Sequence, residues 1–145
     1  MPPIRKDPYC NSQYLVEIDG LPDTGFSRVI LPECRIDPIE YREGIETRSR
    51  RKLLGIPAIG KLVLERGLTN SKALSDWYKA ALEGNPLARR NIAITLLDEK
   101  NTNICRWKIT GAIPMKYGIS PLTAKGDEVL IETIELACES FQRDE

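Results

Sequence analysis

The apolar positions of this chain recur mostly with period two, and in one stretch with period 3.6. Residues 14–19 set Tyr14, Val16 and Ile18 against Glu17 and Asp19, which predicts a half-buried strand. Residues 26–31, 35–41 and 61–66 read as three more strands, with Leu62 and Leu64 inward in the last. Pro32 and Pro38 imply an edge or a bulge. Further on, Ile92, Ile94 and Leu96 alternate with Ala93, Thr95 and Leu97. Beyond a polar turn, Cys105, Trp107 and Ile109 alternate with Arg106, Lys108 and Thr110. This pair predicts an antiparallel hairpin with one wet face. Residues 111–120 contain Pro114 and Gly118 and read as a bent or interrupted continuation. Residues 129–141 read as one long final strand.

The period-3.6 stretch spans residues 70–84. Leu74, Trp77, Tyr78, Ala81 and Leu82 form one apolar stripe, Asn70 or Ser71 is placed to cap the first turn, and Gly84 followed by Asn85 and Pro86 ends it. One amphipathic helix among strands must lay its stripe on a sheet, so these five residues are expected as core anchors rather than a ligand cage.

Two segments break the pattern. Residues 42–58 have no clean period and read as a long loop, the kind that serves a function. Its stretch 42–56 carries Arg42, Arg48, Arg50, Arg51 and Lys52 together with Leu53, Leu54 and Ile56, an odd mixture for a merely solvated linker. The start of the final strand, Val129, Leu130 and Ile131, is apolar on successive positions and hence on both faces, which requires cover on both sides. The expectation is a mainly β chain: a small closed antiparallel sandwich or barrel of about seven strands with one flanking helix. It forms a single domain over residues 13–145, preceded by a Pro-rich arm over residues 1–12.

Composition narrows the chemistry. The 145 residues suit one domain, with 41% hydrophobic and 29% charged residues. Lys plus Arg equals Asp plus Glu at 21 each, so the net charge is zero and neither nucleic acid nor a membrane is favoured by bulk charge. Near-neutrality also lacks the self-repulsion that keeps copies apart. No signal peptide or membrane-spanning run is visible. Histidine is absent, which removes Ser-His-Asp and Cys-His chemistry and His-ligated zinc. Cys10, Cys34, Cys105 and Cys138 are not spaced as a metal or redox motif and read as reduced thiols.

Candidate chemistry is correspondingly thin. The basic run Arg48 to Lys52 is short and lacks interleaved aromatics, so a charged contact loop is favoured over a nucleic-acid patch. Glu132 and Glu135 differ in strand parity and so face opposite sides, which argues against paired-carboxylate hydrolysis. No phosphate-binding glycine loop occurs. No catalytic, cofactor or metal site is expected. A basic segment near the middle and acidic residues toward the end (Asp127, Glu128, Glu132, Glu135, Glu139, Asp144, Glu145) suit head-to-tail association of unlike surfaces.

An ordered set of short stretches then marks a likeness. They are Tyr41-Arg42-Glu43-Gly44, Leu64-Glu65-Arg66-Gly67-Leu68-Thr69, Trp77-Tyr78, Arg90-Asn91-Ile92-Ala93-Ile94, Arg106-Trp107, Pro114-Met115-Lys116-Tyr117, and Val129-Leu130-Ile131-Glu132-Thr133-Ile134-Glu135-Leu136. In this order the chain resembles the tail-tube proteins of contractile phages and phage-like contractile injection systems. It departs from them at Ile113, where an aromatic is frequent, and at Leu54, where proline is frequent. The resemblance implies a β-barrel with a flanking helix, as in the type-six secretion tube protein. It implies a structural protomer of stacked hexameric rings forming a hollow conduit, with sheath, baseplate and cap proteins as partners and cargo in the lumen. A free-ring, type-six-like secreted or chaperone protein is the alternative. It implies no enzyme activity, no membrane anchor, and no nucleic-acid binding unless a phage genome passes the lumen. It also implies cytoplasmic assembly and a place in a phage tail or phage-like particle that can be released. Within that frame, residues 42–56 are the expected ring-stacking loop and Val129, Leu130 and Ile131 the expected lateral interface.

Overall fold

The computed structural model describes residues 13–21, 25–41 and 51–144. The arm over residues 1–12 lies outside the described residues. The described chain runs β1 (Gln13–Ile18), β2 (Arg28–Ile30), β3 (Cys34–Tyr41), β4 (Arg51–Ile59), β5 (Leu62–Gly67), α1 (Ala73–Leu82), a 3-10 turn (Pro86–Ala88), β6 (Arg90–Leu97), β7 (Asn103–Ile119), β8 (Ile131–Ala137) and β9 (Ser140–Arg143). All strand pairs are antiparallel.

Seven strands form one sheet: six follow the path β1-β6-β7-β8-β5-β2, and β9 is added beside β7. The 17-residue β7 joins the two layers. Its first half pairs with β6 and β9, and its second half with β8. Gly111, at φ 65°, sits between the halves, and a Cβ there would strike the Glu139 side chain. A left-handed residue with a neighbour packed against it fits only glycine. Just beyond, the register shifts between Pro114 and Lys116, so the proline is accommodated at a bulge and the strand continues. The expected interruption over 111–120 is therefore a bend within one strand.

Val16, Leu62, Leu64, Ile109, Ile134 and Leu136 are fully enclosed between the layers. Burial of each contributes on the order of 1.5–3 kcal/mol relative to exposure. The path does not close on itself, because β1 and β2 are its two ends and are not paired with each other. The class is as expected, mainly β with one helix, but the described residues form an open sandwich rather than a closed barrel. Near these ends the Tyr14 hydroxyl of β1 donates to the Phe26 carbonyl, just ahead of β2, at 2.7 Å.

The helix is shorter than its period suggests. Leu74 and Trp77 enter the core, and the Trp77 indole N–H donates to the Ala88 carbonyl at 2.5 Å. Tyr78 and Ala81 are half-buried at its edge, and Tyr78 stacks on Tyr117 with centroids 6.0 Å apart. Leu82 is 69% exposed, so it is not a core residue: the helix ends there and its last turn overhangs the sheet. Lys72 occupies the N-cap position without a side-chain cap, and Ser71 Oγ accepts the Ala73 N–H at 3.4 Å. Gly84, at φ 72°, ends the element as expected.

Two boundaries differ further. The segment 129–141 is not one strand: β8 starts at Ile131, and the chain turns at Cys138 and Glu139 into β9, which returns along β7. The Glu139 N–H donates to the Thr110 carbonyl at 2.9 Å and fixes that turn. Residues 51–58, read as loop, belong to β4, while residues 42–50 lie outside the described residues.

Candidate assembly surfaces

Strands β3 and β4 form a sheet of their own and pair with no other described strand. Directly opposed residues share a face. The ladder pairs Cys34 with Ile59, Ile36 with Pro57 and Pro38 with Leu54, so Ile36, Leu54, Pro57 and Ile59 stand on one face, while Ile39 and Leu53, paired with each other, stand on the opposite face with Arg35 and Asp37. Ile36, Ile39 and Leu53 are exposed. Leu54 is 78% and Ile56, within the bulged segment, 91% exposed. The register slips between Ile36 and Pro38 opposite Gly55, and a Cβ at Gly55 would lie 2.5 Å from the Asp37 carbonyl oxygen. Glycine is required by that close approach. At its base the hairpin is tied by the Gly60 N–H to the Glu33 carbonyl at 2.7 Å. A two-stranded hairpin alone is marginal in water, and this one exposes apolar side chains on both faces.

The expected stacking residues thus divide three ways. Leu53, Leu54 and Ile56 lie together on the projecting hairpin and are exposed. Arg51 and Lys52 open β4, opposite Tyr41 and Glu40 in the ladder. Arg42, Arg48 and Arg50 lie outside the described residues. The segment is a strand because backbone pairing with β3 organises it despite Gly55 and Pro57; Pro57 sits just past the slipped register.

The expected lateral residues precede or open β8. Val129 is 72% exposed. Leu130 is half-buried, and its carbonyl accepts the Leu68 N–H at 2.8 Å. Ile131 is half-buried, its N–H donates to Ser120 Oγ at 2.9 Å, and its side chain lines a hollow on the outer sheet face with Ile30, Val63, Ile119 and Thr133. Only Ile131 is in a strand, so the double-faced apolar run is a strand entry and not a strand centre.

The two carboxylates of β8 do face opposite sides. Glu135 is on the outer face, where the ammonium of Lys61, with that of Lys116 at 3.5 Å, holds its carboxyl below the usual carboxylate range. Glu132, only 2% exposed, lies inside. It accepts from Arg66 Nε at 3.2 Å and from the Tyr117 hydroxyl at 2.9 Å. Burial, then the bond to Glu132, pushes the Tyr117 phenol up to about 12. Arg66 also lies over the Phe26 ring at 5.6 Å. Read from the sequence, Glu132 and Glu135 fall on opposite sides, but this internal network is not reached. The signal was available: Glu132 has the parity of Ile134 and Leu136.

A second hollow opens at the unpaired β1–β2 end of the sandwich. It has a volume of about 490 Å³ and is walled by Tyr14, Val29, Leu31, Leu96 and Trp107, with Arg28 and Arg143 also lining it. Among the described residues no cluster of three or more His, Cys, Asp or Glu could hold a metal ion, and Cys34, Cys105 and Cys138 are free thiols. No helix of the described residues is long and apolar enough to cross a membrane.

Comparisons with known proteins follow the same lines. The family model described as T4-like virus tail tube protein gp19 matches residues 10–142. No curated protein matches the chain by sequence. Among solved structures, the chain is similar to one from the anti-feeding prophage baseplate, 6-fold symmetrised. That match has a TM-score of 0.80 and 25% identity and covers 96% of this chain and 97% of the other. It is also similar to a chain of the sheath-tube complex of an extracellular contractile injection system in the extended state (TM-score 0.81, 20% identity, 94% and 92% covered). A type six secretion system protein shares the fold more distantly (TM-score 0.60, 15% identity, 90% and 81% covered).

Proposed function

The chain belongs to the T4-like virus tail tube protein gp19 family, and from that premise we propose that it is a structural protomer of the inner tube of a contractile injection system or contractile phage tail. Copies form hexameric rings, and the rings stack head-to-tail into a hollow conduit. The surrounding sheath, the baseplate and the cap are its partners, and cargo occupies the lumen. It assembles in the cytoplasm and acts as part of a phage tail or phage-like particle that can be released. It performs assembly and not catalysis.

The observation that carries this reading within the chain is the β3–β4 hairpin. It exposes Ile36, Ile39, Leu53, Leu54 and Ile56, and among the described residues no other strand pairs with it. Such an arm, with a different surface elsewhere to receive it, makes a heterologous contact, which generates rings or filaments according to whether its rotation closes. Residues 42–56 supply the axial contact: Leu53 and Leu54 by apolar burial, Arg48, Arg50 and Arg51 by charge register. Val129, Leu130 and Ile131 supply the lateral one. Negative-stain microscopy of the purified protein tests the proposal. Tubes or stacked rings support it, isolated rings alone favour the free-ring alternative, and a monomer at all concentrations refutes both.

A further inference from the structure

We propose that the hollow at the β1–β2 end of the sandwich is the receptor for the Ile39 and Leu53 face of the β3–β4 hairpin of a second copy of this chain. The inference rests on the tube reading above and adds the receiving surface to it. The hairpin supplies Ile39 and Leu53 on one exposed face, which also carries Asp37. The hollow supplies Tyr14, Val29, Leu31 and Trp107, all half-buried, in front of the enclosed Leu96. These are two unmatched apolar surfaces of unlike shape, one convex and one concave, on the same chain. Contact between them is heterologous by construction.

The hollow exists because the sheet path ends there. β1 and β2 are not paired with each other; the Tyr14 to Phe26 bond spans the gap, and among the described residues no strand covers the side chains of the two layers there. Charge runs in the same direction. Arg28 and Arg143 line the hollow, and Glu33 and Asp37 are exposed on the β3 side of the hairpin. Their present partners, Glu65 for Arg28 at 3.6 Å and Arg35 for Asp37 at 3.3 Å, are in wide or solvent-exposed pairs that exchange at little cost. A protomer does not fill its own hollow: short connections on each side fix the hairpin's direction, and Ile39 and Leu53 remain exposed.

The test is a crosslink between copies of the full chain. Leu53→Cys protein is mixed with Val29→Cys protein, both carrying Cys34→Ser, under assembly conditions. A short bis-maleimide is added and the linked peptides are mapped by mass spectrometry. Docking raises the effective concentration of the pair, so the 53–29 link should exceed a control link from 53 to Leu122→Cys by on the order of tenfold. Acrylamide quenching of Trp107 should also fall on assembly, with the enclosed Trp77 as internal reference. Tubes that form with no 53–29 link above control, or with links from 53 to 122 instead, overturn the receptor while leaving the tube reading intact. Wild-type protein that forms neither rings nor tubes overturns the tube reading, and this inference with it.

Discussion

The sandwich body and the β3–β4 hairpin use similar residues to opposite ends. Both are strand pairs rich in Leu and Ile. In the body, Leu62, Leu64, Ile134 and Leu136 are fully enclosed, and Arg66, Glu132 and Tyr117 bond to one another inside the chain. In the hairpin, Ile36, Ile39, Leu53, Leu54 and Ile56 face outward, and the backbone ladder ends at two strands. The body is stabilised by its own fold, whereas in the proposed assembly the hairpin is a half-core whose other half is supplied by another molecule. The same substitution, large apolar to small or polar, should therefore read out as stability in one region and as assembly in the other.

The largest effects belong to the body. Replacing Glu132 by Ala strands the Arg66 guanidinium without its buried carboxylate, and breaking such a pair costs about 3–5 kcal/mol. Leu136→Ala leaves a cavity, at about 2–5 kcal/mol. Both should lower the denaturant midpoint of the unassembled protein. A Glu132→Ala midpoint within error of wild type would break the contrast from the body's side.

Intermediate between the regions is the entry to β8. Ile131→Asp puts a charge on a half-buried position beside the outer hollow. It should weaken ring formation, read by sedimentation, with a smaller change in melting temperature than Leu136→Ala. Normal ring assembly of this variant would remove Ile131 from the lateral interface.

Ionisation effects are smaller and have defined signs. The Tyr117 phenol, raised to about 12, favours the fold fully below the ordinary value of 10.0, and that contribution is lost as pH rises from 10.0 through about 12. Tyr117→Phe should flatten the fall in stability across that window. Glu135 is lowered by Lys61 and Lys116, so its contribution is present above the ordinary carboxylate value of 4.5 and is lost as pH falls through the depressed folded value. Glu135→Gln should flatten the acid limb. It should do so only modestly, since both lysines are largely exposed to solvent. Urea titrations at stepped pH check both.

Much of the body was legible because its patterns are local. Leu74 and Trp77 announce the helix, and Ile92, Ile94 and Leu96 announce β6 by strict alternation. The split between β8 and β9 was not legible, because the turn at Cys138 and Glu139 has neither glycine nor proline and is set by a long-range bond to Thr110. Leu82 continues the helical period past the point where the sheet beneath it ends. The hairpin was half legible: the apolar Leu53, Leu54 and Ile56 stood out, but Gly55 and Pro57 masked a strand that exists through pairing and a bulge. The hollow proposed to receive it, assembled from β1, β2, β6 and β7, has no sequence signature at all.

The account's central claim is that the exposed hairpin leucines serve assembly and not folding. Electron microscopy of Leu53→Ser/Leu54→Ser protein beside wild type, with a thermal melt of each, addresses it directly. The predicted result is intact rings that no longer stack, with a melting midpoint close to wild type, since exposed substitutions usually change stability by less than about 0.5 kcal/mol. Long tubes from the double variant would contradict the claim, as would a collapse of the melting transition.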